Sequence, residues 1–294
     1  MGRDSKSAAQ ETQFFVKSLH DPLARREAVE LVKKGEPVGI YNRGVCAIWG
    51  DGNSSKFYEK VTQIKGEGRA KKPLATTLKT RDFVSLIDSD EVPEILHSVL
   101  LNAGRLAGRV GSLCFLRMPI KREIAEKFPD YIVSKNEDGK YEMQNWDAAG
   151  HTQTNAFVKL LLKNGISLPA VTSMNISGSP EIVDQKEGID FARKTGIKLF
   201  LIDEKDPGLA KGSFTILGIG KSGLKIIRDG HVPGHIFPYL LQMEVDVNDA
   251  IPAKYPQIEF PQGFFEEGTP TRLRRKVIDY ITAVESKEIL PNGK

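Results

Sequence analysis

Residues 170–180 read Ala-Val-Thr-Ser-Met-Asn-Ile-Ser-Gly-Ser-Pro, and the rest of the chain is best interpreted from this stretch. It begins as a β-favouring run and then changes to short hydroxyl and amide side chains, closed by a glycine and a proline. The pattern predicts a strand that carries polar groups to its own C-terminal end, where open α/β sheets bind ligands. Ser173, Asn175 and Ser177 are the candidate hydrogen-bonding groups, because small neutral side chains bond phosphate or ribose oxygens at little desolvation cost. A strand that simply ends in an Asn-Ser-Gly turn would show the same pattern.

The segment 172–178, Thr-Ser-Met-Asn-Ile-Ser-Gly, resembles the Thr-Ser-Ala-Asn-Ile-Ser-Gly motif of the YrdC-like family, the threonylcarbamoyl-AMP synthases of tRNA modification. Weaker matches in the family's order are Ile64-Lys65-Gly66 with Lys72-Pro73-Leu74, Gly111-Ser112-Leu113, Ser213, and Ile226-Ile227-Arg228-Asp229-Gly230. The resemblance implies the family's fold, a twisted sheet of mixed parallel and antiparallel strands with flanking helices. Alternating helix and strand patterns with adjacent hairpins indicate the same α/β class.

A basic loop is the second candidate site. Lys65 ends a predicted helix and enters a glycine-rich loop that also carries Arg69 and Lys72. Backbone amides and cationic side chains in such a loop can converge on phosphate oxygens, although a solvated lysine-rich loop would look alike. The resemblance implies that Lys65 and Arg69 contact a nucleotide and that Ser213 and Arg228 complete its site. We therefore expect the basic loop and the polar strand end to meet around a triphosphate.

The segment 41–47, Tyr-Asn-Arg-Gly-Val-Cys-Ala, departs from the family's Pro-Thr-Asp/Glu-Thr-Val-Tyr-Gly. Asn42 and Gly44 replace threonines of the family's substrate pocket, and Arg43 replaces an acid. A charge reversal beside an amino-acid site is expected to change the substrate that is bound, so Asn42 and Arg43 are candidate residues of an altered pocket. The family's Arg-x-Pro arginine has no secure counterpart, because Arg117 has the right neighbours but comes too early in the chain.

The resemblance implies an ATP-dependent nucleotidyltransferase. The family's enzymes join a carbamate, made from bicarbonate and an amino acid, to the α-phosphate of ATP and release pyrophosphate, with Mg²⁺ bridging the triphosphate. The implied catalytic residues are Lys65, Arg69, Ser173 and Asn175, and the implied nucleotide site adds Lys72, Ser177, Ser213 and Arg228. Since no Cys/His ligand set occurs, no protein-bound metal is predicted. Two alternatives remain: a non-catalytic RNA-binding or nucleotide-sensing module, and a carbamoyl- or acyl-adenylate enzyme with a different small acceptor.

Bulk composition is that of an ordinary globular protein of 294 residues. Forty-two basic residues nearly balance 38 acidic ones, so the net charge of +4 permits an anionic ligand without indicating nucleic acid. The two cysteines lie in apolar runs, and no run approaches the roughly 18 apolar residues of a membrane span; we expect a cytoplasmic protein that makes no membrane contact.

The predicted organisation has three parts. Residues 1–20 are expected to be flexible, 21–236 to form the YrdC-like domain, and 237–294 to form an extension with a basic helix. Within the domain, the charged segment at about 119–155 is interpreted as an insertion, and its sequence pattern does not assign it a position in the sheet. The oligomeric state is left open.

Overall fold

A mixed sheet of 11 strands forms the centre of the protein. The computed structural model describes residues 13–42, 44–66, 68, 72–102, 105–205, 211–266 and 268–285. Its strands are β1 (Phe15–Ser18), β2 (Val38–Asn42), β3 (Val45–Asp51), β4 (Ala75–Thr76), β5 (Cys114–Pro119), β6 (Val133–Lys135), β7 (Tyr141–Asn145), β8 (Pro169–Ser173), β9 (Leu199–Ile202), β10 (Thr215–Gly220) and β11 (Gly223–Arg228). Its α-helices are α1 (Pro22–Lys33), α2 (Ser55–Lys65), α3 (Thr80–Val84), α4 (Glu94–Asn102), α5 (Arg105–Leu113), α6 (Arg122–Ala125), α7 (Thr152–Lys163), α8 (Gln185–Lys194), α9 (Phe237–Leu241) and α10 (Pro270–Glu285).

The strand order is β1-β9-β2-β3-β8-β4-β7-β5-β10-β11, with β6 paired to β7 beside this path. Neighbours are parallel in pairs such as β2 with β9 and β5 with β10, and antiparallel in pairs such as β2 with β3 and β3 with β8. This mixed pairing confirms the predicted fold class. It also places β8, the strand that ends at Ser173, in the interior of the sheet between β3 and β4.

The hydrophobic core consists of two clusters, and successive residues of a strand can belong to different clusters because their side chains point to opposite faces of the sheet. In β9, for example, Phe200 belongs to the first cluster and Leu201 to the second. Helix α1 packs in the second cluster with α7, and α2 packs in the first with the C-terminal helix α10. Each face of the sheet is therefore covered, and the strand ends are left to form the site.

Both cysteines are buried free thiols, as expected of core residues. Burial raises the pKa of each thiol, that of Cys46 further in the field of nearby carboxylates. Neither is therefore a candidate nucleophile. Among the described residues, every helix is too short or too polar to cross a bilayer.

The segment interpreted as an insertion, about residues 119–155, contributes β6 and β7 to the sheet, a place that the sequence pattern did not give it. Strand β7 lies between β4 and β5, parallel to the first and antiparallel to the second. Strand β7 has a polar residue, Asn145, at a buried position. The Asn145 carboxamide oxygen accepts hydrogen bonds from the Thr76 hydroxyl at 2.9 Å and from the Leu78 amide at 2.8 Å. A buried amide with its partners can occupy a core position that a sequence pattern reserves for apolar residues.

The N-terminal segment predicted to be flexible, residues 1–20, includes β1, so the prediction fails for its last residues. Phe15–Ser18 adds to β9 in parallel, and the following Leu19 is fully buried. In the C-terminal extension, the predicted basic helix is α10, and Val277 and Ile281 on its apolar stripe are buried against the body of the protein.

Candidate functional site

The C-terminal end of β8 is a hydrogen-bonded turn made by the polar residues that follow the strand. The Ser173 hydroxyl donates to the Asn175 carboxamide oxygen at 2.7 Å, and the Asn175 carboxamide nitrogen donates to the Ser179 carbonyl at 2.6 Å. Gly178 closes the turn with a φ of +92°, which glycine adopts without strain. These bonds fix the orientation of the side chains at the strand end.

Lys65 joins helix α2 to this turn. Its side chain is 3 % exposed, and its ammonium donates to the Asn175 carboxamide oxygen at 2.8 Å and to the Ser173 carbonyl at 2.5 Å. The Ser177 amide in turn donates to the Lys65 carbonyl at 2.9 Å. Gly66, with a φ of +75°, ends the helix and lets the chain turn away. The helix end at Lys65 and the polar end of β8 are thus in direct contact.

A cleft of about 530 Å³ opens beside this junction. Seven residues predicted from the sequence to bind a nucleotide line it: Lys65, Lys72, Ser173, Asn175, Ser177, Ser213 and Arg228. The predicted residues Arg43 and Arg69 lie outside the described residues. The cleft is also lined by Arg117, Glu181 and Lys254, which were not predicted as site residues.

Two arginines, from the strands on either side of β10, give the cleft its positive character. Arg117 on β5 donates to the Gln144 carboxamide oxygen at 2.8 Å, and Arg228 on β11 donates to the Phe214 carbonyl at 3.1 Å. Burial lowers the pKa of both guanidinium groups. The carboxylate of Glu142 partly offsets this shift in the pKa of Arg117, and that of Glu181 partly offsets it at Arg228, whose pKa the charge of Arg117 lowers further. Within the described chain, neither forms an ion pair within 4.0 Å of a carboxylate, and the buried Nε of Arg228 has no hydrogen-bond partner. Two partly desolvated cations that lack paired anions make a site for an anionic ligand.

Glu181 is the single carboxylate that lines the cleft among the described residues. Burial raises its pKa, but backbone hydrogen bonds, including one from the Ser213 amide at 2.9 Å, outweigh burial, and the net pKa lies below the usual value. The carboxylate is therefore ionised at neutral pH. Because it holds the Ser213 backbone, it positions one wall of the cleft.

The C-terminal extension also supplies part of the cleft lining. The Asp229 amide donates to the Ile251 carbonyl at 2.8 Å, which holds residues 246–251 alongside β11. The Tyr255 hydroxyl then donates to the Glu181 carbonyl at 2.7 Å, so that Lys254 reaches the cleft. No motif marks this segment, and only its folding against β11 reveals its place.

Asn42 lies in a separate, smaller pocket that shares a wall with the cleft. Its carboxamide donates to the Thr154 hydroxyl, and its neighbours include Ala47, Trp49 and Phe214. The pocket holds about 70 Å³. Asn42 thus lines the smaller pocket and not the cation-rich cleft, and its role in a substrate pocket stays a prediction.

The mixed sheet and the cleft at the end of its central strand define the class: this is an α/β protein of YrdC-like fold. The particular proteins that share it include a variant of Sua5 from P. abyssi, at a TM-score of 0.60 and 16 % identity over 94 % of this chain and 76 % of that one. The same Sua5 complexed with L-threonine superposes at a TM-score of 0.56 with 17 % identity, over 93 % of this chain and 78 % of that one.

Two further structures are similar. A hypothetical protein from Streptococcus mutans has a TM-score of 0.55 and 14 % identity, over 83 % of this chain and 99 % of that one. Full-length HypF in a phosphate- and nucleotide-bound form has a TM-score of 0.52 and 18 % identity; 71 % of this chain covers 24 % of that one. At these identities the likeness establishes the fold. No family model and no curated protein matches the sequence.

Proposed function

We propose that this protein is a nucleotide-binding enzyme similar to L-threonylcarbamoyladenylate synthase. The observation that carries the proposal is the single cleft that gathers the polar end of β8, Lys72, and the arginines Arg117 and Arg228. Triphosphate oxygens fit such a surface, since they accept from guanidinium, ammonium, hydroxyl and amide donors together. The cationic and neutral donors come from four parts of the chain, which is more than a solvated loop or a simple turn would assemble.

The proposed roles follow from the contacts. Arg117, Arg228 and Lys72 neutralise phosphate charge, and Ser173 and Ser177 orient phosphate or ribose oxygens. Lys65 holds the strand end through Asn175 and contributes its charge from behind the turn. Arg69 keeps its predicted role as a phosphate ligand.

The proposed reaction needs positioning more than a titrating side chain. The acceptor amine and bicarbonate give a carbamate and water; a carbamate oxygen then attacks the α-phosphorus of ATP. The bond from that phosphorus to the bridging oxygen breaks, and pyrophosphate leaves with the electron pair. The cations of the cleft stabilise the charge that builds on the leaving group.

Mg²⁺ fits the proposal as an ion carried by the triphosphate. The described residues contain no group of three His, Cys, Asp or Glu side chains able to hold a metal, and Glu181 is the one carboxylate they place in the cleft. Mg²⁺ commonly binds through substrate phosphates with one or two carboxylates and water. Glu181 is the residue that would complete such a site, and the ion would neutralise phosphate charge there.

Proteins of the same fold support the proposal by what they hold. The P. abyssi Sua5 structure contains L-threonine, and the HypF structure contains phosphate and nucleotide. An amino-acid ligand and a nucleotide ligand are the two classes that our reaction requires.

The test is ATP-dependent pyrophosphate release by the full chain with Mg²⁺, bicarbonate and a panel of amino acids. We expect release that requires both bicarbonate and one acceptor and that falls at least about 100-fold in Arg228→Gln. The matched control is Arg193→Gln, an exposed arginine on α8 whose partner is Asp190. Absence of adenylate with every acceptor, while the protein remains folded, would reject the enzymatic proposal.

A non-catalytic nucleotide- or RNA-binding module is the second candidate, favoured by the ammonium of Lys65 being already bonded to two protein acceptors. For this candidate we expect ATP to bind without turnover, or RNA to bind with an affinity that falls steeply as salt rises. Salt-independent RNA binding together with ATP turnover would exclude it. The third candidate, an adenylate-forming enzyme with another acceptor, is favoured by the pocket around Asn42.

A further inference from the structure

The pocket around Asn42 has rigid aromatic walls. Trp49 packs edge-on against Trp146 with ring centroids 6.2 Å apart, and Phe115 packs edge-on against Phe214 at 6.0 Å. All four rings line the pocket, and Trp146 also contacts Phe214 at 5.2 Å. Because each ring packs against at least one other, the shape of the pocket is set by several close-packed side chains together.

The described lining contains no ionisable side chain. Two of its polar groups are already engaged: the Asn42 carboxamide nitrogen donates to Thr154, and the Ser173 hydroxyl donates to Asn175 at 2.7 Å. A charged group placed here would lose water without gaining an ion-pair partner, and the other hydroxyl residues of the lining, Thr172 and Ser213, also line the cleft. The surface instead suits an aliphatic group.

The volume of about 70 Å³ limits the size of that group. Since a water molecule takes about 30 Å³ in the liquid, the pocket has room for about two or three non-hydrogen atoms. An ethyl or isopropyl group fits these limits, and an aromatic ring does not.

The pocket adjoins the cleft. Ala47 in the pocket is paired directly with Ser173 across β3 and β8, and Phe115, Thr172 and Ser213 line both spaces. A molecule with its polar end in the cleft can therefore place a short side chain in the pocket.

We propose that this pocket selects an acceptor with a small aliphatic side chain, such as that of L-valine, over the isosteric hydroxylated L-threonine. The inference rests on the proposed function for the identity of the acceptor as an amino acid. It also agrees with the altered segment at Asn42: the lining has no ionisable side chain, and its hydroxyl residues, Thr172, Ser173 and Ser213, also line the cleft.

The test is isothermal titration calorimetry of the full chain with L-valine and with L-threonine, and separately with ATP and Mg²⁺. We expect L-valine to bind about 10- to 100-fold more tightly than L-threonine. Ala47→Leu, which adds three carbon atoms to the pocket, should remove L-valine binding while ATP binds as before. Ala47→Val should give an intermediate loss, and circular dichroism of both variants reports folding.

Each outcome bears on a separate claim. Equal or tighter binding of L-threonine, binding of neither amino acid, or L-valine binding unaffected by both Ala47 variants would overturn the inference, whatever ATP does. Binding of L-valine as expected, with no binding of ATP, would reject the proposed function and leave the aliphatic site standing.

Discussion

Removal of the Lys65 ammonium tests whether this one group joins helix α2 to the end of β8. In Lys65→Met, the aliphatic stem remains and two hydrogen bonds from a buried cation are lost. Hydrogen bonds to charged groups contribute about 1.5–3 kcal/mol each. The Asn175 oxygen keeps the Ser173 hydroxyl as a donor, so part of the loss is offset. We expect the free energy of unfolding to fall by about 2–4 kcal/mol and Tm by roughly 4–16 °C.

The assay is urea denaturation, with amide hydrogen exchange as a local readout. The amide of Ser177, bonded to the Lys65 carbonyl, should exchange faster in the variant than in the native protein. Lys194→Met is the matched control, since Lys194 also lies in the last turn of a helix but is exposed; its cost should stay below about 0.5 kcal/mol. A Lys65→Met protein as stable as the control, with unchanged exchange at Ser177, would refute the reasoning.

Three further predictions concern the anion site, acid stability and close packing. Arg228→Gln should weaken ATP binding about 10- to 100-fold in calorimetry, because one charge-assisted contact is lost; unchanged affinity would remove Arg228 from the site. Burial raises the pKa of Glu36, but hydrogen bonds from Lys60 and a second lysine outweigh it, so the folded-state pKa lies below 4.5. The Glu36 carboxylate therefore stabilises the fold above about pH 4.5, and this contribution is lost as the pH falls through the lowered pKa. In urea titrations at several pH values, Glu36→Gln should reduce the fall in the free energy of unfolding between neutral and acid pH. The same fall in the variant and the native protein would contradict the assignment. Gly230→Ala should cost at least about 3 kcal/mol in the same assay, because a Cβ there would lie 2.3 Å from the Phe214 carbonyl carbon; a near-neutral effect would show that the backbone yields.

The fold was predictable where pattern and packing agree. The strand ending at Ser173 and the helix ending at Lys65 are visible in the sequence because their apolar residues follow the expected periods and glycines mark their ends. Strand β7 was not, since Asn145 is buried through specific hydrogen bonds that only the tertiary structure supplies.

The site was predictable as far as the motifs reach. Ser173, Asn175 and Lys65 were found because short polar and basic residues cluster at element ends. Arg117 was passed over because its position along the chain did not match the family's arginine; the sheet places it beside Gln144, and so in the cleft. Lys254 carries no sequence signal, because its place depends on pairing between distant segments.

Residues 246–251, which lie alongside β11, limit where the chain can be truncated. Strand β11 is the last strand of the sheet path, and Asp246 and Ile251 bridge to it, occupying hydrogen-bonding groups that would otherwise face solvent. A fragment ending at residue 236, the boundary suggested by family resemblance, would expose this strand as a template for intermolecular pairing. Such a fragment is expected to self-associate in expression trials, whereas in the full chain residues 246–251 cover the edge of β11.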